Sequence, residues 1–488
     1  MSPAVLLAVV AAYFVVLFAV ARSTSRNATN DSFFIGNRSS NWMLVAFGMV
    51  GTSLSGVTFI SVPGAVGATG FTYFQIILGH FVGYVAVAYV LLPIYYGGHV
   101  TSIYHYLGER LGPRSHRTGA GFFILSRTLG ATARLYLVVA ILQMALLAGY
   151  GIPFWVTAGV AVALILAYTF EGGVKTIVWT DTLQTACMLA GLAICVVIVL
   201  GELGLSVGES IERMRAQSLG KMFATDPNER HFWLKDFVAG AFIAIAMTGM
   251  DQEMMQKNIS VKTLADSQKN VVALALIMMG VVLLFLYLGG LLYLYAPTVG
   301  VTATGDKIFP AVVLGHLPPI IQVVFVVALI SALFPSADGA LTALTSSFCL
   351  DILGLRRRGV AELEATRIRH RVHLSFALVF LVLVMAFHWA DSASMIAVIL
   401  KLASYTYGPL LGLFAFGILT SRQVNDRWVP GVAIAAPALC LLLDARQEAI
   451  FGAYQLGLEL LLVNAMLTFA GLWFLSKPGT DPSSGQVA

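Results

Sequence analysis

Gly51-Thr52-Ser53-Leu54-Ser55-Gly56, followed by Pro63-Gly64, is the stretch on which the fold turns. It lies inside an apolar run long enough to cross a bilayer. Two glycines and three hydroxyls within six residues make poor continuous helix. Non-helical backbone at membrane depth is tolerated only where it is buried in protein or lines a cavity. Its released carbonyls then suit a hard cation. A second such interruption is expected at Met247-Thr248-Gly249-Met250-Asp251-Gln252, five spans later. Paired interruptions at matching positions are the mark of two inverted five-helix repeats. The competing explanation is that the small residues only let helices approach closely.

Composition agrees with a membrane body. Apolar residues make up 58% of the 488 and charged residues 11%, against about 25% charged in soluble domains. Apolar stretches near 20 residues recur along the whole chain, each able to cover ~30 Å of hydrocarbon. We expect an all-α membrane protein with about thirteen spans, boundaries good to a few residues. The first, Ala4 to Ala21, lacks a charged leader and a small-residue cleavage site, so it is read as a retained helix. The expected organisation is an extra helix in 1–25, a first five-helix repeat in 40–201 and an extracellular loop in 202–232. A second repeat in 233–420, two further helices in 421–476 and a disordered tail in 477–488 complete it.

Loop charge sets the orientation. With the N-terminus outside, the inner loops hold about 19 of the 29 Lys and Arg residues and the outer loops about 7, as the positive-inside rule requires. Cys187, Cys195, Cys349 and Cys440 all sit in apolar spans and form no CxxC pair, which gives neither a disulfide framework nor a metal site. No basic stretch is interleaved with stacking aromatics, so nucleic acid is not an expected partner. HExxH, GxSxG and P-loop patterns are absent, which argues against a membrane enzyme.

The ninth span carries the richest chemistry: Ser331-Ala332-Leu333-Phe334-Pro335-Ser336-Ala337-Asp338-Gly339. Pro335 has no N–H, so the Ser331 carbonyl loses its helical partner. Ser336 adds a hydroxyl, and Asp338 a carboxylate at a depth where a charge costs ~3 kcal/mol or more. Oxygen donors of these kinds suit a hard cation; a plain proline kink with a serine bonding back to its own helix is the alternative. Asp181 opens the sixth span, as a helix-start carboxylate or as a second anion on an ion path. Arg127, Arg134 and Lys401 are basic residues within spans and each is a functional candidate. Arg127, nearer the cytoplasmic end, can instead snorkel.

Several motifs, in order from residue 33 to about 430, resemble the sodium/solute symporter family, which includes sodium-coupled sugar, proline and sialic acid transporters. They are Phe33-Phe34-Ile35-Gly36-Asn37-Arg38, Pro63-Gly64-Ala65, Pro93-Ile94-Tyr95 and Tyr106-Leu107-Gly108-Glu109-Arg110-Leu111-Gly112. Further along come Thr180-Asp181-Thr182-Leu183-Gln184, Asp251-Gln252 with Gln256-Lys257, Tyr405-Thr406-Tyr407-Gly408-Pro409 and Arg422-Gln423-Val424-Asn425. The resemblance implies a leucine-transporter-like fold of five plus five helices with flanking helices. It implies a sodium site from the carbonyls of Gly51 and Leu54, the carbonyl of Ala332 and the hydroxyl of Ser336. Pro335 departs from the family pattern by losing one hydroxyl ligand. Asp338 stands where the family often has serine, and we expect it to compensate, directly or through water. Some relatives bind a second sodium with the residue matching Asp181.

For the substrate, Lys401 stands where the family's sugar carriers have a glutamine. The expected solute is therefore anionic or zwitterionic, held by Lys401 and Arg134, with Ser53, Tyr73 and Gln75 as further cavity groups. Lys401 pairing with Asp338 or Asp181 is the alternative. Tyr405, Tyr407 and Gln252 are expected to gate the cavity. The expected function is sodium-coupled symport in a cell membrane by alternating access; a transporter-like sensor, a proton-coupled carrier and a channel are the other readings. A sensor fused to a kinase would need a long cytoplasmic domain, which the short tail does not supply.

Overall fold

The computed structural model describes residues 3–24, 33–34, 40–98, 102–147, 150–390 and 395–478. The stretch 35–38 of the Phe33 motif and most of the expected tail lie outside them. The chain is an all-α membrane protein, and its only described sheet is a two-residue pair, β1 (Gln423–Val424) with β2 (Ser476–Lys477).

The helices in chain order are α1 (Pro3–Thr24), α2 (Trp42–Thr69), α3 (Tyr73–Gly97), α4 (Tyr104–Arg110) and α5 (Pro113–Leu142). Then come α6 (Phe154–Glu202), α7 (Val207–Ala216), α8 (Trp233–Gly249), α9 (Gln252–Ile259), α10 (Leu264–Tyr295) and α11 (Ile308–His316). The last six are α12 (Pro319–Ser347), α13 (Glu362–Ala390), α14 (Met395–Leu419), α15 (Val429–Ala445), α16 (Gln447–Phe451) and α17 (Leu460–Phe474). Among the described residues, nine helices are long and apolar enough to cross a membrane, or ten if the bent α8–α9 pair is one span. The expected thirteen is reached only if the shorter apolar helices Phe154–Phe170, Val429–Ala445 and Leu460–Phe474 cross as well. α6 is a single helical stretch of 49 residues, Phe154–Glu202, where two spans were expected. At 1.5 Å per residue such a run is more than twice the ~30 Å hydrocarbon thickness, so its two apolar halves, Phe154–Phe170 and Thr176–Glu202, are counted separately.

Both expected interruptions are present. In α2 the backbone leaves the helical region at Ser55, with φ 46° and ψ 166°. A non-glycine residue at positive φ costs about 1–3 kcal/mol and persists only where its surroundings enforce it. Here the enforcement is close packing: a Cβ on Gly56 would fall 2.4 Å from a Val138 methyl and 3.5 Å from the Leu333 Cα. The second half of α2 is then held by a phenylalanine cluster in which Phe59 stacks on Phe309 at 5.3 Å and meets Phe285 and Phe325. In lipid such contacts act through dispersion and fit, since the surroundings are equally apolar.

The second interruption bends α8 from α9 by 66°. α8 ends in a π-helical turn, Ile245–Gly249. Asp251 then caps α9 by accepting from the Glu253 and Met254 amides at 2.9 and 3.3 Å. The carbonyls released by the bend are taken up by tyrosine hydroxyls. Tyr95 donates to Gly249 O at 2.8 Å and Tyr104 to Met250 O at 3.0 Å. Unwound backbone at depth is therefore satisfied inside the protein.

Candidate functional site

The two interruptions meet at one cavity. Thr52, Ser53 and Ser55 line it from α2, Met247 and Thr248 from α8, and Arg127 and Arg134 from α5. The helix α3 adds Tyr73 and His80, and among the described residues neither His80 ring nitrogen has a hydrogen-bond partner. Towards the face of the 202–232 loop the cavity continues into a second one. The two share Tyr73, Ile396 and Leu400, and the second extends to Gly64 and Asp306.

The opposite face, which carries the basic loops, is closed by a set of hydrogen bonds. Tyr407 donates to Asp251 Oδ2 at 2.6 Å, and Gln252 Oε1 accepts from the Ile103 amide at 3.0 Å. Arg110 reaches the carbonyls of Gly417 and Arg422, both at 3.1 Å, and that of Thr420. The Tyr407 and Gln252 side chains thus sit on the sealed side of the cavity. Tyr405 does not join them. Its hydroxyl donates to Asp444 at 2.7 Å on α15, away from the cavity lining.

A buried charged network lies behind the cavity. The Lys257 ammonium is 2.7 Å from Asp181 Oδ2, 2.7 Å from Thr52 Oγ1 and 3.5 Å from Glu253 Oε1. Thr52 also donates to Asp181 at 3.1 Å. Arg127 pairs with Glu253 and lies 3.9 Å from Asp251. These six residues are all at most 5% exposed, so Arg127 does not snorkel to the cytoplasmic end as its position allowed. Sequence reasoning quoted Lys257 only as part of a motif and missed Glu253 altogether. The available signal was weak: Glu253 and Lys257 are opposite charges four residues apart, neighbours on one face of the short polar helix α9 just past the bend.

Gly51 and Leu54 lie just before the break in α2. In a regular helix the amides of residues 55–58 would bond the carbonyls of 51–54, so a break at Ser55 disengages this stretch. The facing helix is α12: a Cβ on Gly51 would lie 3.5 Å from Pro335 Cγ and 2.3 Å from Thr185 Oγ1. Ala332 and Ser336 flank that contact, and both are buried. Ser336 donates to the Leu333 carbonyl at 3.0 Å, the back-bonding of the plain-kink alternative, yet its oxygen keeps lone pairs for a cation. The elements expected to build the ion site are thus adjacent. Asp338 accepts from the Tyr168 hydroxyl at 2.7 Å and from the Gly339 amide at 2.5 Å.

Two expected substrate groups are elsewhere. The Lys401 ammonium is paired with Asp444 at 2.8 Å with its side chain 50% exposed, not with Asp338 or Asp181, and it is not in the cavity lining. Its helix face points to α15, which a spacing argument within one helix cannot reveal. Gln75 bonds Asp236 at 3.2 Å and the Ala224 amide at 2.8 Å, tying α3 to the 202–232 loop. Ser53, Tyr73 and Arg134 do line the cavity.

Known proteins match this arrangement. The model of the sodium:solute symporter family matches residues 33–427. The chain is 26% identical over 408 residues to the human (Homo sapiens) sodium-coupled monocarboxylate transporter 1, covering 80% of this chain and 64% of that one. It is 24% identical to the sodium-dependent multivitamin transporter of Oryctolagus cuniculus, covering 80% of this chain and 62% of the relative. The chain therefore spans under two thirds of the length of these curated relatives. Its fold superposes on a Na+-coupled sialic acid symporter with a TM-score of 0.81 and 19% identity, covering 96% and 97% of the two chains. A transporter of the nucleobase-cation-symport-1 family superposes with a TM-score of 0.58 and 16% identity, covering 91% and 93%. With the family matched over most of its length, two broken helices around one cavity and a shared architecture, the chain belongs to the sodium:solute symporter family.

Proposed function

We propose that the protein is a secondary transporter that carries a small organic anion bearing a carboxylate, coupled to sodium, by alternating access. One observation carries the substrate class. Arg134 lines the cavity at membrane depth, and among the described residues no carboxylate lies within ion-pair distance of it. A guanidinium there is costly without a partner, and its planar fork matches a carboxylate in two parallel bonds. Arg127 is already committed to Glu253, so Arg134 is the cation left for a solute. His80 offers ring nitrogens for a second polar group on the same solute. The relatives named for monocarboxylates, a vitamin and sialic acid support the same chemistry.

Sodium would bind at the crossing of α2 and α12, through the carbonyls of Gly51, Leu54 and Ala332 and the Ser336 hydroxyl. An ion that bridges the broken helix and α12 favours the arrangement in which both are in place, and this organises Ser53 and Ser55 at the cavity. Linkage makes the effect mutual: sodium raises solute affinity by the factor by which solute raises sodium affinity. The positive-inside count puts the basic-loop face in the cytoplasm, with the N-terminus outside, so the described conformation faces outward.

Uptake of carboxylates, amino acids and neutral sugars into proteoliposomes, with a sodium gradient and with choline in its place, tests this. The expected result is sodium-dependent uptake of a carboxylate. In Arg134→Ala its KM rises about 10- to 150-fold, the worth of a ~1.5–3 kcal/mol charged hydrogen bond. Transport of neutral sugars alone, or unchanged KM in Arg134→Ala, would overturn the reading.

A further inference from the structure

We propose that Arg127 couples the solute to the inner seal: a carboxylate held at Arg134 also engages Arg127, weakens its hold on Asp251 and Glu253, and so lets the sealed face part. The inference rests on the reading of the cavity as a carboxylate site, and it gives Arg127 a positioning role at the seal.

Arg127 belongs to both places. It lines the solute cavity together with Arg134, and it pairs with Glu253 and lies 3.9 Å from Asp251. Asp251 is where the seal is made. Its Oδ2 accepts from Tyr407 at 2.6 Å, and its Oδ1 caps α9 at 2.9 Å. Three helices, α5, α9 and α14, therefore converge on one carboxylate. Arg127, Asp251, Glu253 and Tyr407 are 5%, 0%, 1% and 3% exposed, so solvent does not screen these contacts.

The hold on the seal is incomplete. A guanidinium carries five N–H groups. Nη2 serves Glu253, Nη1 stands 3.9 Å from Asp251, beyond hydrogen-bond range, and among the described residues Nε has no partner. A buried cation with donors to spare is stabilised by a further acceptor. Arg134 is placed to bring one. It follows Arg127 by seven residues on one face of α5, and helix side chains lean towards the N-terminus, here towards Arg127. A Cβ on Gly130, between the two, would fall 3.2 Å from Arg134 Nη1. The two oxygens of a carboxylate can accept from both guanidinium groups.

The effect on the seal follows from differential affinity. A ligand shifts a conformational equilibrium only by binding one state better. An anion that takes part of Arg127 binds better once Arg127 no longer also serves Asp251. It therefore favours the state in which α5 has released α9, and Asp251 is left with Tyr407 and its own helix cap.

Thiol labelling of a cysteine introduced at Ile103, whose amide donates to Gln252 on the sealed face, reads the opening, with the chain lacking that cysteine as the blank. Sodium is present throughout, and the probes are propionate, benzoate and sialic acid, with binding read separately as thermal stabilisation. In the parent chain a carboxylate that binds is expected to speed labelling by about fivefold or more, the lower end of ordinary coupling between sites. In Arg127→Gln labelling is expected to be fast without solute and no longer to respond to it, while the carboxylate still stabilises the protein through Arg134. Arg127→Gln/Glu253→Gln leaves no carboxylate at 253 without its guanidinium, and it decides if the single variant does not fold. A carboxylate that binds the parent without speeding labelling, or that speeds labelling in either folded variant as in the parent, would overturn the inference. If none of the three probes stabilises the parent, the carboxylate reading itself falls, an outcome distinct from binding without opening.

Discussion

The Tyr407 hydroxyl donates to Asp251 Oδ2 at 2.6 Å and so bolts α14 to the start of α9, where the second broken helix resumes. The bond is buried and charge-assisted, which gives it a worth of about 1.5–3 kcal/mol. Tyr407→Phe is expected to lower the melting temperature and to loosen the sealed face. Thiol labelling of a cysteine introduced at Ile103, which lies on that face, should then be faster than in the parent protein; equal labelling rates would show that Tyr407 does not hold it closed.

Lys401 and Asp444 form a half-exposed pair outside the cavity. Exposed pairs contribute about 0–1 kcal/mol. Lys401→Ala should therefore leave KM within about two-fold of the parent value. A tenfold rise in KM would return Lys401 to the substrate.

Ser55 holds φ 46° at the break in α2. A β-branched residue is poorly tolerated there, whereas glycine adopts positive φ without a steric cost. Ser55→Val should lose stability by at least ~1 kcal/mol relative to Ser55→Gly, read from thermal unfolding in detergent. Equal stability of the two variants would mean that the break is not at this residue.

Asp306, in the connection before α11, is buried and accepts from the Met395 amide at 3.0 Å. Burial pushes its carboxyl above the ordinary value. The folded state therefore favours the protonated form. The stability this contributes is full below the ordinary carboxylate value of about 3.9 and is lost as pH rises through the raised folded value. Asp306→Asn cannot ionise and keeps an acceptor for Met395. Its melting temperature should fall less between pH 4 and pH 7 than that of the parent protein; matched pH profiles would exclude the burial effect.

The two helix breaks were legible because glycine, proline and hydroxyl clusters disfavour helix whatever surrounds them. The sequence placed them at 51–56 and 247–252, and the structure has them at Ser55 and at the Gly249–Gln252 bend. Arg134, Ser53 and Tyr73 were legible as cavity groups, because polar residues on apolar spans have few other uses. Lys401 and Gln75 satisfied the same rule, yet each is paired outside the lining of the cavity between the two breaks, with Asp444 and Asp236. The rule states that a polar group needs a partner, and it does not say which.

What the sequence by itself determined is the all-α membrane body and the two points at which it breaks. Apolar run length, loop charge and local backbone preference are properties of contiguous residues, and no neighbour in space can reverse them. What only the tertiary structure decided is which charges meet. Lys257 and Asp181 are 76 residues apart, and Arg127 and Glu253 126 apart. In a low-dielectric interior the energy of a charge is set by its separation from the nearest partner, and that distance exists only once α2, α5, α6 and α9 have packed together.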